Sequence, residues 1–284
     1  MAKIELENIS YVYSKGTPYE VKALDGVSVG IEEGSITGII GHTGSGKSTF
    51  VQLLNGLERA SEGRVLLDGK DIWENPKEIG KIRFRVGLVM QYPEYQLFEE
   101  TIREDIAFGP KNMGLDKQEI EERVRMAADF VGLERELLDK SPFDLSGGQK
   151  RRAAIAGVIA MKPEVLVLDE PAAGLDPLGR DAIFTSLVNY RNETGATVII
   201  VSHSMEDMAR FCEELIVLSH AKVVMRGKCS EVFARAEFLE EIGLDIPEIT
   251  GCMKALAARG LAVSDGIYTV EDAAKELSRL LSSL

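Results

Sequence analysis

Apolar and polar residues alternate at the start of the chain, over residues 3–12 and again from Leu24 to Ile31. Alternation with a period of two places one face of an extended chain against a core, so both runs predict β-strands. A turn with glycine and proline at residues 16–18 separates the two runs. We therefore expect an antiparallel pair of strands at the beginning of the fold.

Short, mostly apolar runs then alternate with helical segments as far as about residue 228. The first helical segment, residues 47–57, carries Phe50 and its leucines on one face. The runs that predict strands are Ser35–Ile40, Gly63–Leu67, Val86–Met90, Val165–Leu168, Thr197–Val201 and Leu215–Leu218. Strands that alternate with helices in this way predict an α/β core with a largely parallel sheet.

Helical spacing prevails in two further regions. Between about residues 92 and 162 the clearest segment is Glu119–Val131, which is strongly amphipathic and predicts a helical insert. Beyond Gly227, helices are predicted over residues 231–242, 248–258 and 270–284, the last with a capping pattern of Thr269 and Asp272 at its start. The predicted organisation is an α/β domain over residues 1–228, followed by a small, mainly helical extension over residues 229–284.

The bulk composition excludes several classes of protein. A net charge of −13 argues against nucleic acid as a partner and against direct binding to an anionic bilayer. The three cysteines (Cys212, Cys229 and Cys252) are too far apart for a disulfide framework or a zinc site, so we expect free thiols. No apolar run reaches the ~18 residues of a membrane span, and the first residues lack a secretion-signal pattern. We expect a cytoplasmic chain that only a protein partner could hold at a membrane.

Residues 41–48 read G-H-T-G-S-G-K-S, the complete pattern of a phosphate-binding loop between a strand and a helix. Glycines let the backbone approach the phosphates and direct its N–H groups at them from the start of a helix. Lys47 would reach the β- and γ-phosphates, and the Ser48 hydroxyl would ligate Mg²⁺. The predicted nucleotide-binding residues of this loop are Gly41, His42, Thr43, Gly44, Ser45, Gly46, Lys47, Ser48 and Thr49.

Two carboxylates, Asp169 and Glu170, follow the predicted strand Val165–Leu168. The carboxyl ends of parallel strands are where α/β sheets bind ligands. An aspartate there can bind Mg²⁺, here through water, and a neighbouring glutamate can polarise the attacking water. Beside a phosphate-binding loop, this pair predicts nucleotide hydrolysis rather than an exposed acidic turn.

A second anion-binding pattern lies at residues 145–149, L-S-G-G-Q. Ser146, Gly147 and Gly148 precede a helix predicted to start near Gln149, and helix N-termini attract anions. One triphosphate does not need two such sites from the same subunit. The arrangement makes sense if two subunits each supply one site and enclose the nucleotide between them.

The phosphate-binding loop, the L-S-G-G-Q sequence and V-L-V-L-D-E at residues 165–170 together resemble the ATP-binding cassette (ABC) ATPases over roughly residues 3–228. The resemblance implies a RecA/F1-like parallel core with an N-terminal antiparallel β subdomain. It also implies roles for four more residues. Gln91 would contact Mg²⁺ and the attacking water, Asp176 would lie in the loop that crosses the dimer interface, His203 would sense the γ-phosphate, and Tyr13, or alternatively Tyr11, would stack on adenine.

Residues 92–114 (Y-P-E-Y-Q-L-F-E-E-T-I-R-E-D-I-A-F-G-P-K-N-M-G) resemble the ATPases of energy-coupling factor transporters more closely. The sequences S-P-F-D-L-S-G-G-Q-K-R-R and S-H-S-M-E-D-M-A and the extension are similar to the second ATPase subunit of those systems. The resemblance implies ATP and Mg²⁺ as cofactors, a related but different ATPase as partner, a transmembrane coupling subunit, and a separate membrane protein that captures a vitamin or a transition-metal ion. Ala172 departs from the threonine or serine usual at this position, without loss of a catalytic group.

Several alternatives remain open at this stage. The aromatic and aliphatic residues of 92–108 could pack the insert or line a groove for a helix of the membrane subunit. The apolar face of the last helix (Val270, Ala274, Leu277, Leu281 and Leu284) could pack on its own domain or hold two ATPases together. Three rival functions are disfavoured by the sequence. Residues 92–114 argue against the ATPase of another ABC importer or exporter, and the single cassette and negative charge argue against a soluble ABC ATPase acting on nucleic acid. A nucleotide kinase would leave L-S-G-G-Q unexplained.

Overall fold

The computed structural model describes residues 2–264 and 266–282, and the strands in these residues form two sheets. In chain order the strands are β1 (Ala2–Tyr13), β2 (Val21–Glu32), β3 (Ile36–Gly41), β4 (Glu62–Leu67), β5 (Lys70–Asp71), β6 (Val86–Val89), β7 (Val165–Asp169), β8 (Thr197–Val201), β9 (Glu214–Ser219) and β10 (Lys222–Lys228). The helices are α1 (Lys47–Leu54), α2 (Ile79–Arg85), α3 (Ile102–Asn112), α4 (Lys117–Phe130), α5 (Gly147–Ile159), α6 (Pro177–Thr194), α7 (Met205–Phe211), α8 (Cys229–Phe233), α9 (Ala236–Glu241), α10 (Glu248–Ala258) and α11 (Val270–Leu281).

The first sheet has the strand order β2-β1-β4-β5 and is antiparallel. Ile4 of β1 lies opposite Ile31 of β2 on one side and Leu67 of β4 on the other. All three side chains are buried in one cluster, which also contains Phe50 of α1. The antiparallel pair predicted from alternation is confirmed, since that alternation faces this core.

The second sheet has the order β10-β9-β3-β8-β7-β6, and its strands are parallel except for β10 at the edge. The central strands β3, β7 and β8 are buried along their whole length, as their continuous apolar sequences predict. Strand β10 was not predicted because its residues alternate between exposed and half-buried and are rich in charge. Since β3 and β7 end at the same edge, the phosphate-binding loop and Asp169 come together there.

Helices α3, α4 and α5 lie between β6 and β7 and form the predicted insert. The amphipathic helix α4 buries Val124, Ala127 and Ala128, together with Ile155 and Ile159 of α5. The helical insert is therefore confirmed, and its core is continuous with that of the second sheet.

Among the predicted helix boundaries that differ from the structure, three have a clear local reason. The first helix ends at Leu54 because the chain turns at Gly56, whose φ is +67° and where a Cβ would lie 2.5 Å from Ile79 Cδ1. Helix α5 begins at Gly147, because Ser146 and Gln149 form a capping box. The single helix predicted over 231–242 is two helices, α8 and α9, since the backbone at Arg235 is not helical.

The break between α8 and α9 has a packing reason. Phe233 and Leu239 are six positions apart, so on one continuous helix they would face different directions. Both are 0% exposed in the same core cluster. The non-helical residue between them lets both side chains reach that core, and burial of two large apolar groups outweighs the lost helical hydrogen bonds.

Helix α11 leaves most of its predicted apolar face exposed to solvent. Thr269 caps the helix by accepting a hydrogen bond from the Asp272 N–H, as predicted. However, Val270 and Leu281 are 66% and 72% exposed, and Ala273, which lies off the predicted face, is the buried residue. Leu284 lies outside the described residues. Leu277 is half-buried, so the described part of the predicted face packs on the rest of the chain only in part. No helix among the described residues is long and apolar enough to cross a membrane.

A charge network joins the two sheets. Glu164, just before β7, binds Lys3 of β1 at 2.7 Å and Arg85 at the end of α2 at 2.6 Å. Hydrogen bonds from Arg85 and then from Lys3 lower the pKa of Glu164 to about 2, although burial opposes them. A carboxyl whose folded pKa is lowered stabilises the fold above its ordinary value of 4.5, and this contribution disappears as the pH falls towards 2.

Replacing Glu164 by glutamine is therefore expected to lower the free energy of unfolding at pH 7 by about 1 kcal/mol, after solvent screening of a side chain that is 42% exposed. The difference from the parent should shrink between pH 4.5 and pH 2, which denaturant titrations at several pH values would measure. Glu33→Gln is the control, because Glu33 is 66% exposed and 3.7 Å from Lys3. An equal difference at pH 7 and pH 3 would contradict the assignment.

Candidate functional site

A cavity of about 390 Å³ opens at the carboxyl edge of the second sheet, between that edge and the start of β2. Its lining consists of residues singled out from the sequence together with Val21 and Ala23 of β2, which were missed. The complete lining is Tyr13, Val21, Ala23, Thr43, Gly44, Gly46, Lys47, Ser48, Thr49, Gln91, Asp169, Glu170 and His203. A signal for Val21 did exist, because antiparallel pairing places it directly opposite Tyr13.

The phosphate-binding loop joins β3 to α1 and borders this cavity. Gly46 caps α1 with φ +106°, and a Cβ at this position would lie 2.3 Å from the Ala23 carbonyl oxygen. Only glycine therefore fits there, and the close approach to β2 holds the loop in place. The first helical residue is Lys47, so the loop lies at a helix N-terminus, where backbone N–H groups favour an anion.

Three residues of the loop lie behind its lining. Gly41 and Ser45 are buried, and His42 packs its ring against His220 with 5.2 Å between ring centroids. The Lys47 ammonium donates hydrogen bonds to the carbonyl oxygens of Gly41 at 2.6 Å and His42 at 3.0 Å. Burial lowers the pKa of Lys47, and the nearby carboxylates of the cavity partly oppose that effect.

The two carboxylates after β7 occupy different environments. Asp169 accepts a hydrogen bond from the Ser48 hydroxyl at 2.9 Å, and burial raises its pKa. Glu170 has a left-handed backbone, with φ +52°, and its N–H donates to the Val201 carbonyl oxygen at 3.0 Å. This bond to β8 directs the Glu170 side chain into the cavity that it lines.

The Glu170 carboxyl is buried and poorly satisfied. Its Oε1 atom has no hydrogen-bond partner among the described residues, and the nearest basic group is His203 Nε2 at 3.5 Å. Burial, and then the Asp169 charge, raise the pKa of Glu170 to about 7. Burial and the Lys47 charge lower the pKa of His203. The site therefore holds a buried carboxyl oxygen whose hydrogen-bonding capacity the described residues do not use.

The two tyrosines of β1 have separate roles in the packing. Tyr13 lines the cavity, is 38% exposed, and its hydroxyl lies 3.0 Å from Thr49 Oγ1. Tyr11 donates a hydrogen bond to Glu58 and packs against the core of the first sheet. Of the two alternatives from the sequence, Tyr13 is the one that borders the cavity.

The remaining predicted site residues lie outside the cavity lining. Ser146 caps α5, its N–H donating to Gln149 Oε1 at 2.9 Å. In the described part of the chain, nothing lies within 4 Å of a Cβ built at Gly147, whereas a Cβ at Gly148 would lie 3.7 Å from Leu175 Cδ2. Asp176 caps α6 by accepting the Gly179 N–H at 2.7 Å. The structure thus separates the site residues into a cavity group and a second, exposed group.

The residues of 92–108 divide between the two alternatives drawn from the sequence. Ile102, Ile106 and Pro93 are buried in the insert, whereas a second set is exposed. The exposed set, called here the aromatic patch, consists of Tyr92, Tyr95, Phe98 and Phe108, which are 47%, 84%, 65% and 42% exposed. Ala172, the departure from the family pattern, is 5% exposed in the main core.

Comparison with known proteins agrees with this architecture. The sequence profile of the ABC transporter family matches residues 24–173. The chain is 50% identical to the energy-coupling factor transporter ATP-binding protein EcfA2 of Clostridium acetobutylicum, over 99% of this chain and 98% of that one.

Two solved structures share the fold. CbiO1 of Clostridium perfringens, described as part of the ABC transporter complex cbiONQ, has a TM-score of 0.75 and 40% identity over 89% of this chain and 99% of its own. The dimeric bacterial ABC transporter cassette MJ0796 has a TM-score of 0.73 and 30% identity over 79% of this chain and 98% of its own. The predicted ABC fold is confirmed, and the chain belongs to the energy-coupling factor transporter ATP-binding proteins within the ABC ATPase family.

Proposed function

We propose that this chain binds and hydrolyses ATP to drive an energy-coupling factor transporter that takes up a vitamin or a transition-metal ion. The observation that carries the proposal is the division of the site residues. One group lines a single cavity, whereas Ser146, Gly147 and Gly148 lie outside it on an exposed helix N-terminus. A second ATPase subunit, which we propose to be a related but different chain, would complete both groups: its exposed helix N-terminus would face this cavity, and its cavity would face this exposed N-terminus.

The cavity group accounts for binding of the nucleotide. Lys47 would exchange its two carbonyl partners for the β- and γ-phosphates, which are stronger acceptors because they are charged. The loop N–H groups would bind the same phosphates. Tyr13, which is 38% exposed in the cavity lining and paired with Val21, would stack on the adenine.

Ser48, Asp169 and Gln91 supply the oxygen atoms expected of a magnesium site. The Ser48 hydroxyl and the Asp169 carboxylate are already 2.9 Å apart, and Gln91 lines the same cavity. Hydroxyl, carboxylate and amide oxygens are the ligands that this hard cation prefers, so the residues fit it. When bound, Mg²⁺ would neutralise charge on the β- and γ-phosphates.

Glu170 would assist the attack of water on the γ-phosphate, and His203 would contact the same phosphate. Glu170 is suited to this role by its place in the cavity lining and by the backbone hydrogen bond to β8. In phosphoryl transfer, positioning and electrostatic stabilisation supply most of the rate. The partner's equivalent of the L-S-G-G-Q sequence, called here the signature loop, would complete the enclosure of the γ-phosphate, and Asp176 would lie at the shared interface.

We further propose that the chain works at the cytoplasmic face of the cell membrane and is held there by protein partners. The aromatic patch on the insert is the proposed contact for a short helix of the transmembrane subunit, because exposed aromatic groups in a cluster favour a protein partner over water. Residues 229–284 form the proposed extension, and the exposed face of α11 would contact the second ATPase.

Purification of the full chain from detergent-solubilised membranes tests the function. Mass spectrometry is expected to find a second ABC ATPase, a transmembrane subunit and a small substrate-capture protein in the same complex. A membrane domain of another importer or exporter type would instead favour the alternative function.

Truncation after residue 268, followed by sizing of the nucleotide-free pair, tests the role of α11.

Replacing Tyr95 by glutamate is expected to reduce co-purification of the transmembrane subunit by at least about tenfold, because a charge cannot be desolvated in an apolar contact. The melting temperature should change little, since Tyr95 is 84% exposed. Tyr19→Glu is the matched control, because Tyr19 is 82% exposed but lies in the β1–β2 turn. Equal loss in both variants would remove the aromatic patch as the docking surface.

A further inference from the structure

Arg151 is a buried cation on the second turn of α5, two residues after the L-S-G-G-Q sequence. Its side chain is 4% exposed. A charge removed from water in this way requires charged or polar partners that fit its geometry closely. The partners of Arg151 come from two other segments, both adjacent to residues of the proposed site.

The first partner is Glu94, in the short helical turn Pro93–Gln96 that follows Gln91. Arg151 Nη2 donates to Glu94 Oε1 at 2.8 Å and Nε donates to Oε2 at 3.1 Å. Two parallel bonds between one guanidinium and one carboxylate fix orientation as well as distance. Glu94 is itself 16% exposed, so the contact is shielded from solvent.

The second partner is the carbonyl oxygen of Ala173, which accepts a hydrogen bond from Arg151 Nη1. Ala173 lies in the turn directly after Glu170, and its N–H donates to the Glu170 carbonyl oxygen at 3.3 Å. The same turn continues into Asp176, the cap of α6. One guanidinium therefore joins three segments: α5, which begins within L-S-G-G-Q and is called here the signature helix, the segment after Gln91, and the turn after Glu170.

We propose that Arg151 is a positioning residue, which sets the orientation of the signature helix relative to Gln91 and Glu170 through Glu94 and Ala173. The proposal rests on the proposed function. There, Gln91 and Glu170 act on the γ-phosphate in this chain's own cavity, whereas the signature loop acts on the γ-phosphate held by the second subunit. Arg151 does not line the nucleotide cavity. Loss of the Arg151 guanidinium should therefore lower ATP hydrolysis by the closed pair of subunits and leave the binding of ATP to this chain unchanged.

Lysine cannot replace arginine in this role, although it keeps the charge and the apolar stem. Its single ammonium group has no planar fork, so it cannot hold the Glu94 carboxylate and the Ala173 carbonyl oxygen in one fixed geometry. Arg151→Lys is thus a conservative change that retains the charge pair and removes the three-way connection.

Arg123 in α4 provides a matched control within the same insert. It binds a carboxylate, Glu119, at 2.7 Å, and a backbone carbonyl oxygen, that of Met161, at 3.1 Å. Its side chain is 13% exposed. Arg123→Lys therefore removes similar contacts at a place that touches neither the segment after Gln91 nor the turn after Glu170.

The test is steady-state ATP hydrolysis by the complex assembled from full-length chains. We expect Arg151→Lys to lower kcat by about tenfold or more and to change KM for ATP by less than about twofold, whereas Arg123→Lys should change neither by more than about twofold. A fluorescent ATP analogue should bind the Arg151→Lys chain as it binds the parent. Melting temperatures of the two variants provide the comparison for stability.

If Arg151→Lys does not fold, Glu94→Gln serves in its place, because it keeps the shape of the partner and removes one arm of the connection. The proposal is overturned if the folded variant keeps kcat within about twofold of the parent, or if Arg123→Lys lowers kcat equally. Failure of the proposed function would give a different result, since the parent complex would then not hydrolyse ATP at all.

Discussion

Replacing Glu170 by glutamine is expected to lower ATP turnover by at least about a hundredfold while ATP still binds. The amide has the shape of the carboxyl but cannot accept a proton from the attacking water. The contacts proposed for the nucleotide, through Lys47, Ser48 and Tyr13, do not involve the carboxyl of Glu170. With hydrolysis blocked, the ATP-bound pair should therefore accumulate in its closed form.

Three measurements check this result: steady-state hydrolysis, equilibrium binding of an ATP analogue, and sizing of the pair with and without ATP. The variant should fold at least as well as the parent, because it removes a buried carboxyl whose Oε1 atom has no hydrogen-bond partner in the described chain. Asp169→Asn provides a contrast, since it removes a magnesium ligand and should weaken binding of Mg²⁺ with ATP. Normal turnover by Glu170→Gln would show that another group assists the water.

The second large effect is expected from Gly147→Asp. The substitution should be tolerated in the fold, because nothing in the described part of the chain lies within 4 Å of a Cβ at this position. An acidic residue in the first turn of α5 is even favourable to the helix. However, its charge would repel the γ-phosphate that the second subunit presents to this surface.

Turnover of the pair is therefore expected to fall by about a hundredfold, whereas binding of an ATP analogue to this chain's own cavity should not change. Gly147→Ala is the control, because it fills the same space without charge. Sizing in the Glu170→Gln background would reveal whether ATP still closes the pair. If Gly147→Asp weakened ATP binding to its own chain, or if turnover of the pair did not fall, the division of the site between two subunits would be wrong.

The elements that could be predicted were those with a local cause. The phosphate-binding loop is one contiguous segment, so its residues, its strand and its helix could be read together. The alternation of β1 and the continuous apolar sequence of β7 each reflect one environment along a whole strand. By contrast, β10 is a charged edge strand, and its pairing with β9 depends on a neighbour rather than on its own pattern.

The candidate site could be predicted only in part, because spacing does not decide which face of a strand or helix meets which neighbour. Tyr11 and Tyr13 are both plausible from their positions, and only packing directs Tyr11 to Glu58 and Tyr13 to the cavity. The face of α11 is apolar in sequence, yet the structure leaves most of it in solvent. No motif linked Arg151 to Glu94, which precedes it by 57 positions.

The sequence by itself determined the chemistry of this protein: a loop for phosphates, carboxylates after a strand, and a second anion site in L-S-G-G-Q. Those features depend on residue types within a few positions of one another, which is what a sequence records directly. Only the tertiary structure decided that the loop and carboxylates share a cavity from which L-S-G-G-Q is excluded. The parallel order of β3, β8 and β7 brings distant segments to one edge, and burial then selects which side chains meet there.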